Sequence, residues 1–276
     1  VQQWMAAHHG WQVQPAWLQK TPGVVFAIAV AVKACTQPGD AVLIQQPVYY
    51  PFSEVIADNG RRLVSSDLVL DEATGHYEID FTDFERKIVE NGVKLFLLCS
   101  PHNPVGRVWS REELLQIGAI CQRHGVTVFS DEIHADFVWQ GRHQVFAAVD
   151  PAFAAFTITA TAPSKTFNIA GLQVSNIFIA DDALRAKLLR EQAISDAMEP
   201  ALANEEFLVY LQPKYSLKQG CIAGAEALVR WIHPQWGFMS PGEFIPLFEK
   251  NGFIPRLDRY MWDKVCCLLG QWKGEG

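Results

Sequence analysis

A nearly continuous apolar run at residues 93–99 (VKLFLLC) most constrains the fold of this chain. A strand that is apolar at successive positions has both faces covered, which is typical of the central strands of a parallel sheet. Strand patterns and helical patterns alternate over about the first 180 residues, and this alternation predicts an α/β fold with a mostly parallel sheet. The predicted strands are 41–45, 93–99, 126–130, 157–161 and 174–179. The predicted helices are 24–35, 51–59, 81–90, 110–124 and 182–203.

Length and composition exclude several classes of protein. The chain has 276 residues, a formal net charge of −7, 49% hydrophobic and 19% charged residues, which is typical of one or two globular domains and not of disorder. Its longest apolar run, 24–32, is well short of the ~20 residues that a membrane helix needs, and its first residues lack the pattern of a signal peptide. We therefore expect a cytoplasmic chain without a membrane segment. The acidic balance argues against a nucleic-acid partner.

The cysteines are not spaced like a metal or redox motif. Six are present and none forms a CxxC pair, so reduced and mostly buried thiols are expected. The histidines at positions 8 and 9 are interpreted as surface residues, and His102 as part of a loop.

The sequence pattern changes near residue 193. Strand patterns at 207–213 and 221–231 flank a polar turn at 216–220, and helical patterns follow at 243–251 and 257–269. Pro200 is expected to kink or end the preceding helix. Five large side chains at helical spacing are predicted to belong to a core, namely Phe244, Phe248, Tyr260, Met261 and Trp262.

Polar motifs follow four of the predicted strands in the first part of the chain. They are 46–50 (QPVYY), 100–106 (SPHNPVG), 130–134 (SDEIH) and 162–166 (APSKT). The carboxyl ends of parallel strands meet at one edge of a sheet, so these motifs are expected to form one site. A lysine in a mostly buried loop is nucleophilic because desolvation favours its neutral form, and such a lysine can form a Schiff base with a carbonyl.

In this order and spacing, the motifs SPHNPVG, SDEIH and APSKTFNIAGLQ resemble the fold-type I pyridoxal phosphate superfamily. PVYYPF and TPGVV point to its MalY/PatB-type cystathionine β-lyase (C–S lyase) branch, and the resemblance covers residues 1–192. It implies a three-layer large domain, pyridoxal 5′-phosphate as cofactor and a sulfur amino acid as small-molecule substrate. It also implies a homodimer.

The same resemblance implies roles for single residues. Lys165 would hold the cofactor and move the proton at the substrate Cα, while Asp131 would pair with the pyridine nitrogen and Asn103 with the ring O3′. The remaining contacts would come from the Tyr49 ring stacked on the cofactor ring and from His134 near O3′. The Ser164 hydroxyl and the helix-start backbone amides of Gly23, Val24 and Val25 would hold the phosphate.

Two positions depart from the aminotransferase pattern and favour the lyase branch. His134 stands where many relatives have a tyrosine, and Gln173 stands where aminotransferases carry a phosphate-binding arginine. Taken alone, each site residue also has a structural interpretation: Lys165 as a solvated loop lysine, Asp131 and Asn103 as turn or cap residues. His134 could equally satisfy a neighbouring carbonyl.

A second resemblance begins near residue 194. EFLVYLQPKYSL, GAEALVRWIHPQWGFMSPGEFIPLFEKNGFI and LDRYMWDKVC resemble the opening of an EAL domain, a cyclic di-GMP phosphodiesterase with a TIM-type barrel. It implies that Glu226 ligates Mg²⁺ or Mn²⁺, that Arg230 contacts a ligand phosphate and that Gln212 lies beside the nucleotide. The alternatives are a solvent-facing Glu226 and a stacked or ion-paired Arg230.

We predict a chimera of two incomplete domains: residues 1–192 of a pyridoxal phosphate lyase large domain and residues 193–276 of the first third of an EAL barrel. The resemblance implies missing segments on both sides of the first domain, so cofactor binding is expected more than turnover. Three hypotheses follow: a C–S lyase or aminotransferase, a cyclic di-GMP binder or phosphodiesterase, and an inactive fusion.

Overall fold

The computed structural model describes residues 1–250 and 253–275. The chain separates into two compact units, Val1–Glu191 and Gln192–Gly276. This boundary lies within two residues of the predicted domain boundary, and the assignment of the two domains stays a prediction.

Helices and strands alternate through the first unit, as the apolar patterns predict. Its strands are β1 (Leu18–Thr21), β2 (Ala41–Ile44), β3 (Arg62–Ser65), β4 (Val69–Asp71), β5 (His76–Glu78), β6 (Leu95–Cys99), β7 (Thr127–Asp131), β8 (Thr157–Thr161) and β9 (Ser175–Phe178). Its helices are α1 (Gln2–His9), α2 (Val24–Cys35), α3 (Pro51–Asp58), α4 (Phe81–Asn91), α5 (Arg111–Arg123), α6 (Phe146–Val149) and α7 (Pro163–Thr166), and α8 (Asp182–Ala203) continues past the unit boundary.

Seven strands of this unit form one sheet in the order β1-β9-β8-β7-β6-β2-β3. The five strands from β8 to β3 are parallel, while β9 runs antiparallel to both of its neighbours. The sheet is therefore mostly parallel, and the predicted α/β class is confirmed.

Strand β6 shows why its sequence is apolar throughout. Leu95, Leu97 and Cys99 pack into a core with α2, α3 and the start of α8. Phe96 and Leu98 pack into the opposite core, which contains residues of α4, α5 and α6. The strand is thus covered on both faces by helices, which is the arrangement that a parallel sheet requires.

Pro200 does not end helix α8. The helix continues to Ala203, three residues beyond the proline, and Glu205 then adopts a left-handed φ of 56°. A proline removes one backbone donor. Helix α8 tolerates that loss close to its C-terminus.

The second unit is an antiparallel sheet packed on helices. It contains β10 (Phe207–Ser216), β11 (Cys221–His233), β12 (Gly237–Met239), α9 (Pro241–Lys250) and α10 (Ile254–Glu275). The predicted end of a helix at Asn251 lies outside the described residues. The strands of a TIM barrel are parallel, whereas the strands of this sheet are antiparallel. The sheet therefore does not test the predicted barrel, which stays a prediction for this unit.

Its core confirms most of the predicted aromatic positions. Phe244 and Phe248 are fully buried with Phe207 and Trp231, and Tyr260 and Met261 pack at the edge of this cluster. The prediction for Trp262 is wrong, because its side chain is 71% exposed. It lies on the face of α10 that points away from the core.

The cysteines are free, but they are not mostly buried as expected. Cys99 and Cys121 are buried, Cys35 is half-buried, and the three remaining cysteines are exposed, namely Cys221, Cys266 and Cys267. The exposed ones belong to the second unit: Cys221 lies on β11, where residues 221–227 are all exposed, and Cys266 and Cys267 lie on α10. In the described part of the chain, no helix combines the length and the apolar character that crossing a membrane would need.

Candidate cofactor site

The eight residues assigned to a cofactor from the sequence all line one cavity of the first unit, with a volume of about 380 Å³. Three parallel strands produce this convergence, since the register places Cys99 beside Asp131 and Asp131 beside Ala160. The loops that follow β6, β7 and β8 therefore begin side by side. The eight cavity residues are Val24, Val25, Tyr49, Asn103, Asp131, His134, Ser164 and Lys165.

Asp131 is a buried carboxyl at the end of β7. It is 4% exposed, and its Oδ1 accepts a hydrogen bond from the Ile133 amide at 3.3 Å. Burial raises the pKa of Asp131 to about 7, even though the Ile133 amide and the nearby Lys165 lower it. The hydrogen bond from Ile133 and the charge of Lys165 do not offset the cost of burying the charged carboxyl. Such a carboxyl is suited to a cationic or N–H partner inside the cavity.

Lys165 lies on α7, a single helical turn after β8, and its side chain is exposed. The expectation of a mostly buried loop is therefore wrong for this lysine, because α7 presents it to the open cavity. Ser164 precedes it on the same turn and is half-buried. The turn thus brings a primary amine and a hydroxyl to the cavity together.

The start of helix α2 forms another side of the cavity. Gly23 occupies the N-cap position with a φ of 91°, a conformation that favours glycine. Its own amide donates to the Thr21 carbonyl at 2.8 Å, so Gly23 is not the anion donor that the sequence suggested. The amides of Val24 and Val25 come next, at a helix N-terminus where backbone amides lack intrahelical acceptors and favour anions.

Tyr49 and Asn103 come from two loops that contact each other. The Tyr49 amide donates to the Asn103 carbonyl at 3.0 Å, and the Asn103 amide donates to the Cys99 thiol at 3.3 Å. His102 is buried behind them with its Nε2 at 3.0 Å from the Pro47 carbonyl oxygen, which agrees with its interpretation as loop structure. The backbone therefore fixes where the tyrosine ring and the amide side chain begin.

His134 and Gln173 also line the cavity. His134 is half-buried, and burial together with the charge of Lys165 lowers its pKa. Gln173 adopts a left-handed φ of 44°. At neutral pH the cavity therefore has a largely neutral imidazole close to its lysine.

Sequence reasoning missed a buried polar network beside this cavity. The Glu132 carboxylate lies 2.7 Å from Nε2 of His143 and accepts hydrogen bonds from Ser130 and from the Phe146 amide. Glu132 directly follows Asp131 in the SDEIH motif. The only signal in the sequence for a partner of Glu132 was the later histidine His143. The cavity lining that the sequence did not assign includes Cys99 and Ser175.

The interpretation of His9 as a surface residue is wrong. Its side chain is 6% exposed, and its Nε2 lies 2.9 Å from Oδ1 of Asp136. His8 is exposed as expected and stacks on Trp4 with ring centroids 3.9 Å apart.

In the second unit, the three assigned residues share one face of the β10–β11 pair. Gln212 on β10 lies directly opposite Glu226 on β11. Arg230 follows Glu226 by an even number of residues on β11, so its side chain is on the same face. Glu226 is exposed and pairs with Lys214 at 3.1 Å, while the Arg230 guanidinium lies 5.8 Å from the centre of the Tyr210 ring. Among residues 1–250 and 253–275, no group of three or more His, Cys, Asp or Glu side chains is arranged to hold a metal.

Solved structures of pyridoxal phosphate enzymes share the fold of the first unit. Cystalysin from Treponema denticola, whose crystal structure contains pyridoxal 5′-phosphate, matches 69% of this chain and 48% of its own with 42% identity and a TM-score of 0.67. A pyridoxal-phosphate-bound C–S lyase from Staphylococcus hominis matches 83% of this chain and 65% of its own at 28% identity, with a TM-score of 0.64. The first unit therefore has the α/β fold of pyridoxal phosphate transferases.

The family follows from the sequence comparison. The model of aminotransferase class I and II matches residues 1–204, so the chain belongs to this family. Cystathionine beta-lyase PatB of Bacillus subtilis is 51% identical over 185 residues, which are 67% of this chain and 47% of PatB. Protein MalY of Escherichia coli is 30% identical over 62% of this chain and 43% of MalY. The chain thus spans about half the length of these curated relatives.

A second family model, that of the EAL domain, matches residues 192–276. This range coincides with the second compact unit. The resemblance to an EAL domain that the sequence motifs indicated is confirmed, and with it the fusion of two families in one chain.

Proposed function

We propose that the first unit binds pyridoxal 5′-phosphate and acts as a C–S lyase on a small sulfur-containing amino acid. The observation that carries this proposal is the meeting of Lys165, the buried Asp131 and the α2 N-terminus around one cavity. These are an amine, a carboxyl and an anion-binding helix end, which match the aldehyde, the ring nitrogen and the phosphate of the cofactor. The likeness to cystalysin and PatB supports the same chemistry.

Each cavity residue has a binding or orienting role in this proposal. The Val24 and Val25 amides and the Ser164 hydroxyl hold the phosphate, Asp131 holds the pyridine nitrogen, and the Tyr49 ring covers the face of the pyridine. Asn103 and His134 donate to the ring oxygen and fix the orientation of the ring. When bound, pyridoxal phosphate supplies an aldehyde for amine capture and a ring that withdraws electrons from the substrate Cα.

Lys165 has two tasks. Its amine would hold the cofactor through the aldehyde carbon, and as a free amine it would accept the proton from the substrate Cα. Its exposure to the open cavity lets it reach both positions, and Asp131 keeps the ring nitrogen protonated while the proton moves. Burial raises the pKa of Asp131 by disfavouring its charged form, and a cationic ring nitrogen beside it would favour that charged form again.

A titration of the purified chain with pyridoxal phosphate tests the proposal. We expect the visible absorption band of lysine-bound cofactor in the wild type and its loss in Lys165→Ala. Lys187→Ala is the matched control, because Lys187 is an exposed lysine on α8 outside the cavity. A wild type without the band, or a band that Lys165→Ala retains, would contradict the proposal.

A second candidate function belongs to the second unit, which we propose as a binder of cyclic di-GMP. Gln212, Glu226 and Arg230 support it because they share one sheet face, where an amide and a guanidinium can contact a nucleotide and its phosphate. Glu226 alone does not fit a two-metal hydrolytic centre, since each hard cation needs several oxygen ligands. Binding without hydrolysis is therefore the activity proposed here.

Calorimetry with cyclic di-GMP and Mg²⁺ tests this second candidate. Heat that Arg230→Ala abolishes supports it, and the absence of heat leaves the inactive-fusion hypothesis for this unit.

The homodimer and the cytoplasmic location expected from the sequence stay predictions. Sedimentation at several concentrations tests the first of these.

A further inference from the structure

One carboxylate outside the assigned site connects three separate segments of the first unit. Oδ2 of Asp136 accepts a hydrogen bond from the Thr166 hydroxyl at 2.5 Å. Oδ1 accepts one from Nε1 of Trp4 at 3.2 Å and lies 2.9 Å from Nε2 of His9. Asp136 thereby links the loop after β7, the turn α7 and the helix α1.

The turn α7 depends on such contacts for its orientation. It contains only four residues, and a helix of one turn has no stability of its own. Thr166 is its last residue and directly follows Lys165. A second contact joins the same segments, since the Phe167 ring lies edge-on to Trp4 with centroids 5.4 Å apart.

The charge on Asp136 strengthens these hydrogen bonds. Burial alone would raise its pKa, but hydrogen bonds from Thr166 and Trp4 and the neighbouring His9 leave the pKa below its usual value. Asp136 is therefore ionised at neutral pH. Hydrogen bonds to an ionised acceptor are about twice as strong as neutral ones.

We infer that Asp136 is a positioning residue for Lys165: through Thr166 and helix α1 it fixes the turn that presents the lysine amine to the cavity. This inference rests on the proposed function of Lys165 as the residue that holds pyridoxal phosphate. In the proposed function, the ring and the Val24 and Val25 contacts to the phosphate come from other elements, and only Ser164 shares the turn α7 with Lys165. Asp136 therefore acts mainly on amine capture and less on the remaining cofactor contacts.

Two ligands separate positioning from general damage to the fold. Pyridoxal 5′-phosphate carries the aldehyde that Lys165 captures, whereas pyridoxine 5′-phosphate carries an alcohol that no amine can capture. The variants are Thr166→Val, which removes the hydroxyl but keeps the side-chain shape, and Asp136→Ala. Thr74→Val is the matched control, because the Thr74 hydroxyl donates to Asp71 at 2.7 Å on the distant β4–β5 hairpin.

We expect Thr166→Val to weaken binding of the aldehyde about tenfold, which is the size of one lost charge-assisted hydrogen bond. Asp136→Ala should weaken it further, and Thr74→Val should not change it. Binding of the alcohol should weaken less than binding of the aldehyde in Thr166→Val and Asp136→Ala, since Ser164 is the one assigned phosphate contact on this turn, and it should stay unchanged in Thr74→Val. Equal weakening of both ligands, or aldehyde binding as in the wild type, would overturn the inference.

Amide hydrogen exchange without any ligand keeps the inference testable if the proposed function fails. Thr166→Val and Asp136→Ala should accelerate exchange at residues 163–169, while Thr74→Val should not. A wild type that binds no pyridoxal phosphate would refute the proposed function alone. Unchanged exchange at these residues would refute the role of Asp136, whatever the cofactor does.

Discussion

The buried carboxyl of Asp131 couples the stability of the first unit to pH. Its pKa is about 7 in the folded chain, whereas an unfolded aspartate titrates near ~3.9. Between these values the folded chain keeps a proton that the unfolded chain has lost, so the contribution of Asp131 to stability falls as pH rises through this window.

Asp131→Asn should remove this fall, because an amide stays neutral at every pH. In urea unfolding without cofactor, we expect the variant to gain stability relative to the wild type as the pH rises from 4 to 8. Asp71→Asn is the control, since Asp71 is half-buried on the β4–β5 hairpin and hydrogen bonds from Thr74 and Ala73 lower its pKa. A parallel pH dependence of the wild type and Asp131→Asn would show that Asp131 is not buried as described.

Glu132 should be among the costliest residues to truncate in the first unit. Its side chain is fully buried, and Ser130, His143 and the Phe146 amide all use it as an acceptor. Removing one partner of such a buried polar network typically costs ~3–5 kcal/mol. We expect a loss of this size for Glu132→Ala in urea unfolding, and a loss below ~1 kcal/mol for the exposed Glu90→Ala. Similar losses for both would contradict the network.

At the scale of elements, helix α5 packs closely against the short helical segment Pro151–Phe156, which contains Phe153. An added Cβ at Gly118 would lie 2.0 Å from the Phe153 ring, so only glycine fits at this position. Gly118→Ala should therefore destabilise the first unit by ~1–3 kcal/mol through overpacking. Thermal unfolding measures it, with Gly270→Ala on α10 as control. No atom lies within 4 Å of a Cβ there, so the control should gain up to ~1 kcal/mol from helix propensity.

In the first unit, helices α2, α3, α4, α5 and α8 and the central strands could be predicted because their signals are local, whereas the short helices α1, α6 and α7 were missed. The capping box at Ser110 and Glu113 and the apolar pattern of β6 each specify an element without help from distant residues. Strands β1, β3 and the β4–β5 hairpin were missed, since they have three or four residues each and lie at edges of their sheets. Short edge strands form through pairing with neighbours, which no local pattern reveals.

The candidate site also contains residues that the sequence could predict and residues that it could not. Lys165, Asp131 and Asn103 stand in motifs at strand ends, so the topology of a parallel sheet predicts their convergence. Asp136 could not be predicted, because its partners Trp4 and Thr166 come from segments that meet only in three dimensions. The sequence left open whether Lys165 is buried or solvated, since burial of a loop residue depends on the whole surrounding surface.

At the scale of the whole molecule, the two units have separate cores, so each should respond only to its own ligand. A ligand that binds only the native state stabilises it by ~2.7 kcal/mol at a concentration of 100 times its Kd. We therefore expect excess pyridoxal phosphate to slow amide exchange in residues 1–191 and to leave the exchange of residues 207–239 unchanged. Lys165→Ala should reduce the protection of the first unit, while Lys187→Ala should retain it. Equal protection of both units in the wild type would show that they unfold as one cooperative structure, and the two family fragments would then have become a single domain.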